Sequence, residues 1–366
     1  MREQIVLKRQ ASSAGGKRKI VFFLPNSVGG AERMTNTIAK ILDTEKFDVQ
    51  FVVVGRSADK IRPFIPDCYK ASLLYVYKIY DFATVKLVRY LRRERPVAVF
   101  CSLHYLNIRV ILASKIAGGI KTVVRSNMTL TIYSKFFNFI AKRIYPMADI
   151  IVAQTEEMSA ELVDRLCVDA QKVRILHNYV DTQLIDQKIS GATSPYTCPG
   201  PNIVSVLRFS AQKGLDILID AFARFSSSER NAHLYLIGDC NVGSEVLIST
   251  KSQVEKCGLS QNVHFIGLTQ NPYQWIKFAD CFVLPSRHEG LPNSLLEALY
   301  LKTPVVATVS VPIIGRIVEN GVNGYTVPVD DASAMASAMA KAVNIQSKGL
   351  SLYQSASAEQ FRQLFG

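Results

Sequence analysis

From Lys19 onward, short apolar runs rich in Val, Ile and Phe alternate with longer amphipathic stretches, and this alternation limits the fold more than any other feature. KIVFFLP, DVQFVVVG, VAVFCS, KTVVRS, DIIVAQT and KVRILHN read as strands, whereas AERMTNTIAKILD and TVKLVRYLRRERP read as helices. Parallel strands need a crossover between them, so strand–helix alternation implies a parallel sheet wrapped by helices. QKISGATSPYTCPGPN breaks the rhythm with Gly, Ser, Thr and Pro, and alternation then resumes through NIVSVLR, GLDILIDAFARF, HLYLIGD, VHFIGL, CFVLPS, LLEALYLK and PVVATV. The expected architecture is α/β, with two doubly wound, Rossmann-like domains. The expected division is a basic tail over 1–18, a first domain over 19–185, a linker over 186–201, a second domain over 202–345 and a helical segment over 346–366. Two such domains facing across a cleft would take ligands at the carboxyl ends of their strands.

A chain of 366 residues with 48% hydrophobic and 20% charged residues suits two globular domains. It has no run of about 18 apolar residues, which a transmembrane helix would need. Seven scattered cysteines without C-x-x-C spacing suggest reduced core thiols and no zinc ribbon. The charge is one-sided. Residues 1–190 hold 30 Lys+Arg against 17 Asp+Glu, whereas residues 191–366 hold 13 of each. A basic first half suggests an anionic partner there: nucleic acid, a lipid surface or a phosphorylated substrate.

The most informative stretch is SRHEGLPNSLLEALYLK, residues 286–302. Pro292 suits the first turn of a helix, and CFVLPS before it is a strand. Glu289 is therefore expected in a strand-to-helix loop, and Glu297 more than a turn into the helix. Free N–H groups near Gly290, Leu291, Pro292, Asn293 and Ser294 would form an anion site suited to phosphate. A glycosidase pair would sit about 5 Å apart, but eight partly helical residues separate these carboxylates by on the order of 10 Å. That span suits two ends of one long ligand with a phosphate between. His288-Glu289 is not a zinc motif, because Pro292 stands where H-E-x-x-H needs its second His. Two unrelated surface glutamates remain the ordinary alternative.

The stretch resembles the E-x7-E signature of retaining glycosyltransferases of family 4, which have two Rossmann-like domains in the GT-B arrangement. The resemblance runs over residues 202–331, through VLRFSAQKGLDILIDAF, HLYLIGD, VHFIGLTQNPYQWIKFADCFVLPS and ENGVNGYTVPVDD. In the first half, PNSVGGAER resembles the family's Gly-Gly loop, and RILHNYVD the segment closing its first domain. The resemblance implies that Glu289 binds donor-sugar hydroxyls and Glu297 the ribose hydroxyls. It implies that Arg208 and Lys213 neutralise the leaving diphosphate, with Gly29 and Gly30 letting backbone approach it. No D-x-D triplet occurs in the chain, so the expected chemistry uses no metal and no cofactor beyond the nucleotide-sugar substrate.

Three places depart from the family pattern, one of them AEQFRQLFG, expected as a short version of the family's last helix crossing back onto the first domain. Arg125-Ser126-Asn127 stand where the family often has a His near the reacting sugar, which leaves His104 as a candidate proton-handling group and Asn127 as a weaker substrate contact. In SVPIIGRIVENG, Arg316 precedes Ile317 where a Glu is common. YKASLLYVYKIYDF and TIYSKFFNFIAKRIYP interleave aromatic with basic residues, as an interfacial helix does. A helix with core-packed aromatics and solvated lysines is the alternative. The expected enzyme is a retaining, metal-independent hexosyltransferase using a nucleotide sugar, with UDP the expected nucleotide. Its acceptor would be lipid-linked or a surface polysaccharide. It would lie peripherally on the anionic inner face of the cytoplasmic membrane, with no nucleic-acid partner. A nucleotide-sugar epimerase of the same fold and a non-catalytic sugar-nucleotide-binding or membrane scaffold are the competing readings.

Overall fold

The computed structural model describes residues 17–27, 29–42, 44–76, 83–238, 245–349 and 356–366. Most of the expected tail over 1–18 and parts of the aromatic–basic segment, the Gly-Gly loop and the last helical segment therefore lie outside the described residues. The chain forms two compact units that divide between Tyr179 and Val180, and its last residues return to the first unit.

The first unit is a seven-stranded sheet of order β3-β2-β1-β4-β5-β6-β7. The strands are β1 (Arg18–Pro25), β2 (Phe47–Gly55), β3 (Lys70–Tyr75), β4 (Ala98–Cys101), β5 (Lys121–Ser126), β6 (Ile150–Ala153) and β7 (Val173–Ile175). All their pairings are parallel. Helices α1 (Gly30–Ile41), α2 (Ala83–Glu94), α3 (His104–Ala117), α4 (Lys135–Ile144) and α5 (Glu156–Asp164) make the connections, except that β2 reaches β3 through a 3-10 turn at Arg62–Phe64. Phe22 and Phe23 in β1 show why the strands read as unbroken apolar runs: they project to opposite faces, and each enters a separate buried cluster. β3 departs from that pattern. It is an edge strand with mostly exposed side chains, carries Lys70 and Ser72 among its apolar residues, and makes YKASLLYVYKIYDF begin as a strand rather than as a helix.

The second unit is a six-stranded parallel sheet of order β10-β9-β8-β11-β12-β13. Its strands are β8 (Asn202–Val206), β9 (His233–Ile237), β10 (Val263–Gly267), β11 (Cys281–Leu284), β12 (Val305–Thr308) and β13 (Gly324–Val327). Its helices are α6 (Thr182–Ile189), α7 (Leu215–Ser228), α8 (Glu245–Lys256), α9 (Pro272–Lys277), α10 (Asn293–Tyr300), α11 (Pro312–Ile317) and α12 (Ala332–Ala342). The units divide ahead of 186–201. Asp181 caps α6 through its side chain, and Val180 and Ile185 join the second unit's core, so this helix is part of that unit and not a linker.

The final helix, α13 (Ala358–Gln363), belongs to the first unit. A capping box between Ser357 and Gln360 starts it. Phe361, Leu364 and Phe365 then enter the cluster around Phe22, Phe51 and Phe100. The Arg18 guanidinium donates to the carbonyls of Phe365 and Gly366 at 3.2 and 3.0 Å, and Arg362 Nε donates to Ile41 O at 2.9 Å.

Candidate functional site

In each sheet the strand order reverses once, between β1 and β4 and between β8 and β11. At such a point the two flanking loops diverge to opposite faces and leave room for a ligand at the carboxyl edge.

In the second unit, the loops after β8 and β11 carry the expected residues. Leu207 and Phe209 are buried and Arg208 between them is exposed, so two apolar anchors present the guanidinium outward. Arg208 makes no ion pair among the described residues. Lys213 ends a short 3-10 turn, and the next residue, Gly214, has φ of +62°. A Cβ at Gly214 would lie 2.1 Å from the Pro285 carbonyl oxygen, so only glycine lets the two loops touch. The contact carries Lys213 Nζ to within 2.5 Å of Glu289 Oε1. Ser286 Oγ donates to the same oxygen at 2.6 Å. Glu289 is 6% exposed, and its Oε2 makes no hydrogen bond among the described residues.

Further contacts fix this arrangement. Gln212 Nε2 donates to His288 O, and Arg287 N to Gln212 O. The Arg287 guanidinium joins Asp216 at 2.6 Å and Asp330 at 2.7 Å. Its hydrogen bond to Asp216 holds that carboxyl below the usual aspartate range. Thr308 Oγ1, at the end of β12, holds Ser286 O at 2.5 Å. Ser286 reaches Glu289 from three residues away, inside the quoted motif, whereas Arg287 ties the loop to Asp216 and Asp330 across the fold.

Gly290, Leu291 and Pro292 are buried, whereas Asn293 and Ser294 are half-buried. Pro292 is the N-cap of α10 with extended backbone and no side-chain cap, which leaves the first-turn N–H groups aimed out of the helix. Glu297 lies inside α10 and is 9% exposed. The structure thus brings together Lys213, Ser286 and Glu289, and places Arg208, the α10 N-terminus and Glu297 on the same two loop–helix connections. In α11, Ile313 and Ile314 are buried and Arg316 is exposed.

In the first unit, Gly29 is the N-cap of α1 with φ of −161°, an extended conformation open to any residue. Gly30 begins the helix, and Glu32 in its first turn accepts from Ser27 Oγ at 2.6 Å. His104, at the start of α3, does not fit the expectation of a proton-handling group. It is 1% exposed, and Tyr145 Oη lies 2.6 Å from its Nδ1. Asn107 donates to that same hydroxyl, so Tyr145 donates its proton to Nδ1. Nε2 then carries the ring proton, facing Ser126 Oγ at 3.1 Å and Met128 O at 3.3 Å. Burial pushes the His104 pKa down to about 4. Both ring nitrogens are occupied inside the fold. Arg125 is also buried, bonded to Asn178 and Ser102. Asn127 is half-buried, and its Oδ1 is enclosed without a hydrogen-bond partner among the described residues.

Two family models match the chain without overlapping. Residues 28–184 match the model described as Glycosyltransferase Family 4, and residues 199–359 the one described as Glycosyl transferases group 1. The chain is a GT-B glycosyltransferase. An uncharacterized glycosyltransferase of Methanocaldococcus jannaschii is 29% identical over 258 residues, 65% of this chain and 62% of that protein. A Campylobacter jejuni relative, named as the N-acetylgalactosamine-N,N'-diacetylbacillosaminyl-diphospho-undecaprenol 4-alpha-N-acetylgalactosaminyltransferase, is 26% identical over 305 residues, 79% of this chain and 80% of its own. Among solved structures, Anabaena HepE in complex with UDP and glucose superposes with a TM-score of 0.75 at 18% identity, over 94% of this glycosyltransferase and 97% of HepE. Among the described residues, no helix is long and apolar enough to cross a membrane.

Proposed function

We propose that this glycosyltransferase is a retaining, metal-independent hexosyltransferase that moves a sugar from a UDP-sugar to a lipid-linked or surface-polysaccharide acceptor. The observation that carries this reading is the Lys213–Glu289 pair, held at the point where the second sheet reverses its strand order. A UDP-sugar needs cations at its middle and carboxylates for its hydroxyl-bearing ends. Lys213, Arg208 and the first-turn amides of α10 answer the diphosphate. Glu289 Oε2 accepts from a sugar hydroxyl, and Glu297 from the ribose. The anomeric C–O bond to phosphate breaks, and a bond to the acceptor oxygen forms on the same face. The acceptor hydroxyl proton passes to the departing phosphate oxygen, so no protein base is required, in keeping with the enclosed His104. The UDP complex of HepE and the diphospho-undecaprenol in the Campylobacter transferase's name support the donor and acceptor classes.

The acceptor would reach the basic first unit at a lipid surface. On α4, Phe136 and Phe139 are 73% and 56% exposed, with Lys135, Lys142 and Arg143 on the same helix. Exposed aromatics beside cations suit the anionic inner leaflet of the cytoplasmic membrane. A thermal-shift screen of nucleotide sugars, followed by mass spectrometry of products on a polyprenyl-diphosphate acceptor, tests the reading. Stabilisation by one UDP-sugar and a mass gain of one hexose on the lipid are expected. Sugar-nucleotide turnover without an acceptor would replace transfer by epimerisation, and no affinity for any sugar nucleotide would overturn the reading.

A further inference from the structure

Three residues that glycosyl transfer leaves unused meet on one face of the second sheet. His233 opens β9, and His264 is the second residue of β10, the edge strand. Parallel register sets His264 beside Tyr235, so with period-two alternation His233, Tyr235 and His264 project from the same face. Cys198 is brought over that face by its own loop. Tyr196 packs edge-on against Tyr235 at 4.7 Å and Trp275 at 5.4 Å, and its hydroxyl donates to Trp275 O at 2.5 Å. Tyr235 in turn stacks on the His264 ring at 4.6 Å. His233 Nδ1 and His264 Nε2 stand 3.0 Å apart, and one ring nitrogen from each histidine lies with Cys198 Sγ in a group whose members are all within 4.8 Å of one another.

We propose that Cys198, His233 and His264 form a binding site for a thiophilic divalent transition-metal ion of the zinc(II) class, with a structural rather than a catalytic role. One thiolate and two imidazoles are a borderline-soft donor set, which favours zinc over magnesium or calcium. Zn–N bonds of about 2.0–2.1 Å in tetrahedral geometry separate two ligand nitrogens by about 3.3 Å, so the histidine pair needs to open only slightly. Three protein ligands leave a fourth position for water. All three residues are half-buried, so an ion can enter. The site lies at the amino ends of β9 and β10, the opposite edge from Lys213 and Glu289. A bound ion would pin the segment leading into β8 onto the sheet.

The test uses the full chain, reduced, stripped with chelator and then dialysed against zinc(II) or cobalt(II). One retained equivalent is expected. Cobalt should give a thiolate-to-metal charge-transfer absorption and the strong visible bands of four-coordinate geometry. Cys198→Ser and His264→Gln should each weaken binding at least tenfold while leaving the UDP-sugar thermal shift unchanged. Removing zinc from the loaded wild type with chelator should lower its unfolding temperature, a readout that does not depend on any variant folding. Failure of the wild type to retain metal would overturn the proposal, as would the absence of a chelator-induced shift. Binding unchanged in His233→Gln and His264→Gln would assign the metal to the exposed thiols Cys68, Cys167 and Cys257 and overturn it as well.

Discussion

Lys213 and Glu289 are 76 residues apart in the chain, and 2.5 Å separates Nζ from Oε1 in the fold. Parallel pairing of β8 with β11, Ile203 opposite Cys281, brings their loops side by side. The cation is thereby positioned before any donor arrives, and the carboxylate keeps one oxygen available for it. Lys213→Met should lower kcat by about 10²–10³-fold with a smaller change in KM, because charge on the leaving group grows toward the transition state. Glu289→Gln should reduce kcat similarly and also loosen Lys213. Steady-state kinetics on the acceptor separate the two effects, and equal losses in KM alone would assign both residues to ground-state binding.

Gly214→Ala tests the contact between those loops. A left-handed φ and a Cβ 2.1 Å from Pro285 O cannot both be accommodated without moving the Lys213 turn. A loss of about 2–4 kcal/mol in denaturant unfolding is expected, together with weaker donor binding. Gly258→Ala, at a left-handed position with nothing near its Cβ, should cost less and leave the donor site intact.

His104 makes stability depend on pH. Its folded pKa of about 4 lies below the ordinary 6.5, so the unfolded chain binds more protons between these values. The stability is fully present above pH 6.5 and is lost as pH falls toward 4. A depression of this size corresponds to on the order of 3 kcal/mol. Urea unfolding of His104→Gln between pH 4 and 7 should show a flatter slope than the wild type. An unchanged slope would mean that another group carries the dependence.

Phe136→Ser combined with Phe139→Ser should reduce flotation with anionic liposomes by on the order of 10²-fold, from the loss of two aromatic insertions. Turnover on a water-soluble acceptor analogue should stay unchanged. Flotation equal to the wild type would remove α4 as the membrane contact.

Much of the fold was legible because parallel strands buried on both faces read as continuous Val, Ile and Phe runs, as β1 and β2 do. β3 escaped because an edge strand spends its side chains on solvent, and α6 escaped because its last residues run into the Gly-, Ser-, Thr- and Pro-rich stretch that reads as linker. At the site, Glu289 and Glu297 lie where a strand-to-helix connection requires them, in the loop and inside α10. His104 looked like a strand-end residue able to reach a ligand, but the Tyr145 and Ser126 hydroxyls that enclose it lie 41 and 22 residues away. Cys198, His233 and His264 gave no signal, because sheet register and one aromatic loop bring them together and no fixed spacing does.

The seat of α13 on the first unit bears on biosynthesis. Phe361 and Phe365 complete the aromatic cluster around Phe22 and Phe100, yet a ribosome makes them only after the whole intervening unit. The half of the molecule translated first is therefore finished last. While the second half emerges, a nascent chain carries an open apolar seat beside α1, the place where a chaperone would have reason to wait.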